Sequence, residues 1–130
     1  MVIFLLYLSV ALVATFGTNH LAQNNKIGSV RASSLLTLAF CLITYSISLE
    51  MIPSLQAAFF GASFVGMASP ERLSKIQLFI ASIVFSFIYV FLIHHVKGIG
   101  GALGFSAFVS CLITQIPTSR KALLKFLPRR

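Results

Sequence analysis

Acidic residues are almost missing from this chain. Glu50 and Glu71 are the only two among 130 residues. Chemistry that needs two carboxylates converging on one bond is therefore all but excluded. Cysteine is nearly as scarce, with Cys41 and Cys111 each deep in an apolar segment. Their separation fits neither a disulfide framework nor a zinc-ligand spacing, so both read as small, reduced, buried side chains. No HExxH, CxxC, Ser-His-Asp arrangement or phosphate-cradling glycine loop occurs. No catalytic residue, cofactor or metal ligand set is expected, and the chain does not read as an enzyme.

Charge of either sign is sparse: 9% of residues are charged, and mean hydropathy is +0.97. A soluble domain carries about 25% charge, so this chain could not clothe a water-facing surface. The shortage predicts an all-α integral membrane protein. The net charge of +8 suits nucleic acid in principle. Here, however, the basic residues sit at the ends of apolar segments and not along one face. Anionic lipid headgroups are the expected counterpart, and no nucleic acid.

Five apolar segments are present, at 2–17, 33–49, 52–68, 76–93 and 100–116. The third is the shortest in effect, with Pro53, Ser54 and Gln56 near its start, and it reads either as a crossing or as a re-entrant loop. Charge separates the two. Nine of the ten basic residues fall in three stretches: Lys26 and Arg31; Arg72 and Lys75; Arg120, Lys121, Lys125, Arg129 and Arg130. If the third segment crosses, these nine share one side and Lys97 stands alone on the other. If it turns back, the best split is seven to three. Basic residues near membrane segments stay cytoplasmic. The pattern therefore predicts five transmembrane helices, a short third one, the N-terminus outside and the C-terminus in the cytoplasm, in a bacterial-type inner membrane. Ser69-Pro70-Glu71 resembles a helix start, which places the fourth helix from Pro70 to about His95. Residues 1–14 have the apolar core of a secretory signal, but no Lys or Arg precedes it. The first segment is expected to be a retained helix.

The expected organisation is a five-helix domain over residues 1–117 and a basic amphipathic cytoplasmic tail over 118–130. In that tail Arg120, Lys121, Lys125, Arg129 and Arg130 are candidate contacts to anionic lipid. A 44-residue offset aligns Arg31 with Lys75, Tyr45 with Tyr89, Ala58 with Ala102, Phe64 with Phe108, and Val65 with Val109. Helices two and three would then repeat as four and five, a candidate tandem hairpin repeat.

Three groups of residues are candidates for function. Thr37, Thr44, Tyr45 and Ser48 form one hydroxyl stripe, with Ser82, Ser86 and Tyr89 as a second. Facing each other, they would line an uncharged solute path; bonded back to their own helices, they are ordinary membrane hydroxyls. Glu50 and His94 fall at one outer level and make a candidate proton or metal site; a merely hydrated boundary acid is the plainer reading. Ala58, Ala62 and Gly66, with Gly100, Gly104, Ser106 and Ser110, recur at steps that let helices approach closely. They serve either packing within the chain or a subunit interface. The expected function is an oligomeric transporter or channel component for a small solute. The alternatives are a non-catalytic accessory or scaffold subunit of a larger membrane complex and, behind both, a holin-like lesion former. The expected partners are the bilayer and either further copies or a larger membrane assembly.

Overall fold

The computed structural model describes residues 2–23, 27–47, 50–68, 73–92 and 100–126, with the backbone alone at Leu92, Gly100 and 117–126. The described residues form five α-helices and no strand: α1 Val2–Ala22, α2 Ser29–Thr44, α3 Ile52–Gly66, α4 Lys75–Leu92 and α5 Gly100–Phe126. By length and composition α1 is the one helix long and apolar enough to cross a membrane; Ser29–Thr44, Ile52–Gly66, Lys75–Phe91 and Gly101–Ile116 are apolar but shorter.

Local chemistry sets the helix ends, and it moves several of them from where the sequence signals put them. Gly28, at φ 73°, takes a left-handed conformation open to glycine at little cost. It starts α2 at Ser29, so the polar first turn around Arg31 is already helical. Pro53 occupies the first turn of α3, where its missing N–H leaves nothing unsatisfied. The segment then runs as one uninterrupted helix to Gly66 and does not turn back as a re-entrant loop would. The fourth helix starts at Lys75 and not at Pro70; Ser69, Pro70 and Glu71 lie outside the described residues. Its start is a reciprocal cap. The Ser74 N–H donates to Gln77 Oε1 at 2.8 Å, and the Gln77 N–H donates to Ser74 Oγ at 3.4 Å. Leu73 and Leu78 flank this box, and both are buried. Together they form the apolar staple that fixes the chain's angle of entry. At the other end, α5 does not stop at residue 117. Its backbone helix passes Pro117 and reaches Phe126, so most of the basic tail continues α5.

α3 is the hub. It packs against α1, α2, α4 and α5, and these four form an arc around it in the order α2, α1, α4, α5. Among the described residues α2 approaches neither α4 nor α5, and α1 does not approach α5. Side-chain contacts give the directions. Thr15 and Asn19 of α1 bond the α3 backbone at Ala62 and Gly66, so α1 and α3 run parallel. Ser33 meets Ser63, and Tyr89 meets Ser54, so α2 and α4 run antiparallel to α3. Arg31 and Lys75 therefore lie at the same end of the bundle.

Small residues make up much of the interior, around Tyr7, Phe59, Leu78, Phe85 and Tyr89, and many large apolar residues cover the outside. Ala11, Ala14, Ala32, Ala58, Ala62, Ala81 and Ala107 are buried, as are Thr15, Ser33, Ser63, Ser82, Ser86, Ser106 and Ser110. Val13, Leu35, Leu38, Leu42, Ile43, Ile76, Phe87, Phe91 and Phe105 are exposed. Positions related by the 44-residue offset sit in unlike surroundings. Tyr45 is 87% exposed and Tyr89 5%; Ala58 is buried and Ala102 half-buried. Each hairpin of the candidate repeat puts one helix at an end of the arc, α2 and α5, but only the first contributes the central helix, α3.

Candidate functional site

Polar side chains gather where α3 meets α1 and α2. On the α2 side three contacts stack like rungs. At one end Gln56 Nε2 donates to Thr44 Oγ1 at 2.8 Å. In the middle the Phe40 and Phe59 rings lie parallel, with centroids 4.3 Å apart and 8° between planes. At the other end Ser33 and Ser63 share a 2.7 Å hydrogen bond. Ser63 Oγ already donates to the Phe60 carbonyl at 2.6 Å, so Ser33 is the donor between the two. Helical spacing explains the ladder. Residues 33, 40 and 44 fall on one face of α2, and 56, 59 and 63 on one face of α3. The aromatic pair thus separates two hydrogen-bonded levels.

On the α1 side the backbones approach closely. A methyl group at Gly66 would overlap the Thr15 carbonyl and come within 2.9 Å of Thr18 Cβ. Thr15 Oγ1 donates to the Ala62 carbonyl at 3.1 Å. The Asn19 amide donates to the carbonyls of Gly66 and Ala68, at 3.3 and 3.2 Å, and accepts from Gln23 Nε2 at 2.9 Å. The last carbonyls of a helix lack intrahelical partners, and Asn19 supplies a donor for them from a neighbouring helix. On the α4 side Tyr89 Oη donates to the Ser54 carbonyl at 2.6 Å, and its ring packs edge-on against Tyr7 at 5.4 Å. Gly61 makes room for Phe85 and Leu103, whose side chains would lie 2.7 and 3.3 Å from a Cβ there.

The two hydroxyl stripes, a solute path only if they face each other, do not meet, because α2 and α4 lie on separate parts of the arc. Thr44 is held between its own helix carbonyls and Gln56. Tyr45 points away from the bundle, and Ser48 lies outside the described residues. Ser82 and Ser86 donate to the carbonyls of Leu78 and Ser82, one turn back on α4. Thr37 Oγ1 is buried without a partner. At the proposed outer site Glu50 is exposed in the turn before α3, and His94 lies outside the described residues. Among the described residues no cluster of three or more metal-ligating side chains occurs.

The small-residue positions divide. Ala58, Ala62 and Gly66 are consumed within the chain. Ser106 and Ser110 are buried and donate to the carbonyls of Leu103 and Ser106. Gly104 meets nothing within 4 Å of a Cβ, and neither does Gly101. Gly100, Arg120, Lys121 and Lys125 are placed by backbone alone on α5, and Arg129 and Arg130 lie outside the described residues.

Among the described residues one face of α3 has no neighbour. α2 and α5 flank α3 without approaching each other. Between them lie Pro53, Ala57, Phe60 and Phe64, each exposed or half-buried. The two phenyl rings pack edge-on at 4.6 Å. The sequence reading passed over this stripe and the polar α1 face. The spacing of Thr15, Asn19 and Gln23, one turn apart at the end of a mostly apolar helix, is the signal that points to the latter.

No protein-family model, curated protein or solved structure matches this chain.

Proposed function

We propose that this chain is a five-crossing membrane protein that works by helix packing, as a non-catalytic accessory or scaffold subunit of a larger membrane complex. The inverted burial supports the membrane part of this reading. Hydroxyls and alanines inside, with leucine, isoleucine and phenylalanine outside, suit helices that associate in lipid through small residues and hydrogen bonds. In water the same exposed apolar surface would drive aggregation. The alternating helix directions support a topology with Arg31 and Lys75 on the cytoplasmic side. α5 has 27 residues, roughly 40 Å of helix, which is enough to leave a core of about 30 Å.

The observation that carries the subunit reading is the contrast around α3. Hydrogen bonds and ring contacts occupy its faces toward α1, α2 and α4, and Leu103 of α5 packs on Gly61. Among the described residues nothing covers the Phe60–Phe64 face between α2 and α5, and an outside partner would fit there. Purification in a mild detergent tests this. A different protein recovered in fixed stoichiometry, and lost on Phe60→Ser, supports the reading; a pure single species in that detergent contradicts it.

A second reading is a transporter or channel component for a small uncharged solute, working as an oligomer. It is favoured by the polar levels on either side of the Phe40–Phe59 pair. Flux of a neutral solute into liposomes holding the purified protein would support it. Silence across a broad solute panel, with the fold intact, would remove it.

A further inference from the structure

Most hydroxyls described on these helices follow one habit, and Thr15, Thr18, Ser33 and Thr37 break it. Ser9, Ser34, Thr44, Ser82, Ser86, Ser106, Ser110 and Thr114 all donate to a carbonyl three or four residues back on their own helix. Thr15 instead reaches across to α3. Thr18 and Thr37 do neither, although each lies inside a helix with the same back-bonds on offer. Their Oγ1 atoms are buried without any hydrogen-bond partner, and Thr18 is 0% exposed. A buried hydroxyl with no partner is destabilising, and in native proteins an ordered water commonly takes up such a group.

The surroundings of both hydroxyls are polar but free of Asp, Glu, Lys and Arg on α1 and α3. Thr18 stands beside Gly66, one turn after Thr15 and next to Asn19 in the chain. Thr37 lies one turn after Ser33 on α2, before Phe40. His20, in the last turn of α1, is exposed. Neutral hydroxyls and helix carbonyls already committed to their own ladders offer a cation too few free oxygens. A water, which both accepts from a hydroxyl and donates to a helix carbonyl, matches what is present.

We propose that Thr18 and Thr37 each hold an ordered internal water, so that α3 is hydrated on its α1 side and its α2 side within an otherwise apolar bundle. The test uses the full chain in lipid nanodiscs, with Thr18→Val, Thr37→Val and the matching serine variants. Valine keeps the shape and removes the hydroxyl. Expected are a lower Tm for both valine variants, recovery of most of that shift in the serine variants, and magnetisation transfer from water to the hydroxyl protons of Thr18 and Thr37 in the parent chain. Valine variants as stable as the parent, or more so, would overturn the proposal. So would a lowered Tm with no water transfer at either hydroxyl, because the lost bond would then be to protein.

Discussion

Gly66 of α3 lies directly against the Thr15 carbonyl of α1, with no room for even a methyl group between them. Gly104 on α5 has open space at the corresponding point of its side chain. The two glycines look alike in sequence, each in a run of small residues. Gly66→Ala must push α1 from α3 and strain the bonds from Thr15 and Asn19. It should cost about 1–3 kcal/mol, the usual range for overpacking. Gly104→Ala should leave stability unchanged or slightly raised, because alanine is the better helix former. Thermal unfolding of both variants in one detergent compares them directly.

Asn19 caps α3 from another helix. Asn19→Asp keeps the size and removes the N–H donors, turning an attractive contact with two carbonyls into a repulsive one. The end of α3 should loosen. Faster amide exchange at Met67 and Ala68, and a larger loss of Tm than for Asn19→Ala, are the expected results. Equal effects of the two substitutions would mean that the amide donors contribute nothing.

The Phe40–Phe59 pair offers a third test. Phe40→Ala and Phe59→Ala should each destabilise the chain, and the double variant should lose less than the sum. Stacked pairs contribute about 0.5–1.5 kcal/mol beyond burial, so the coupling energy in a double-mutant cycle should fall in that range. Additive losses would indicate that the rings fill space without interacting. If either variant also raises neutral-solute flux in liposomes, the transport reading gains over the subunit reading.

Topology can be read with single cysteines in a background lacking Cys41 and Cys111. A thiol at Glu50 should react with an impermeant reagent added outside intact cells. A thiol at Lys75 should react only after the membrane is opened. The reverse pattern, or labelling of both from outside, would discard five crossings with a cytoplasmic C-terminus.

Much of the architecture was legible because it rests on periodic, one-dimensional signals. Hydropathy gives the five helices, and the basic stretches resolve segment 52–68 as a helix in its own right. The start of α4 was misplaced because Ser69-Pro70-Glu71 and Ser74-x-x-Gln77 both resemble caps. Only the second is flanked by Leu73 and Leu78, which bury together and hold it. The hydroxyl stripes of α2 and α4 were visible as stripes, but whether two stripes face each other depends on which helices neighbour which. Nothing local encodes that α3 would stand between them. The pairing of Phe40 with Phe59 and of Asn19 with Gly66 is likewise a property of helices brought together, invisible along either one alone.

The central place of α3 sets an order of assembly during synthesis. Every interhelical hydrogen bond described here except Tyr89 to Ser54 closes within the first 68 residues. A nascent chain that has released α3 can therefore complete its bonded three-helix unit before α4 and α5 leave the ribosome. The last two helices then dock onto a finished surface, through the Phe85 and Leu103 contacts at Gly61. Errors in the first half would leave the later helices no seat, whereas errors in α5 would spare the unit already built.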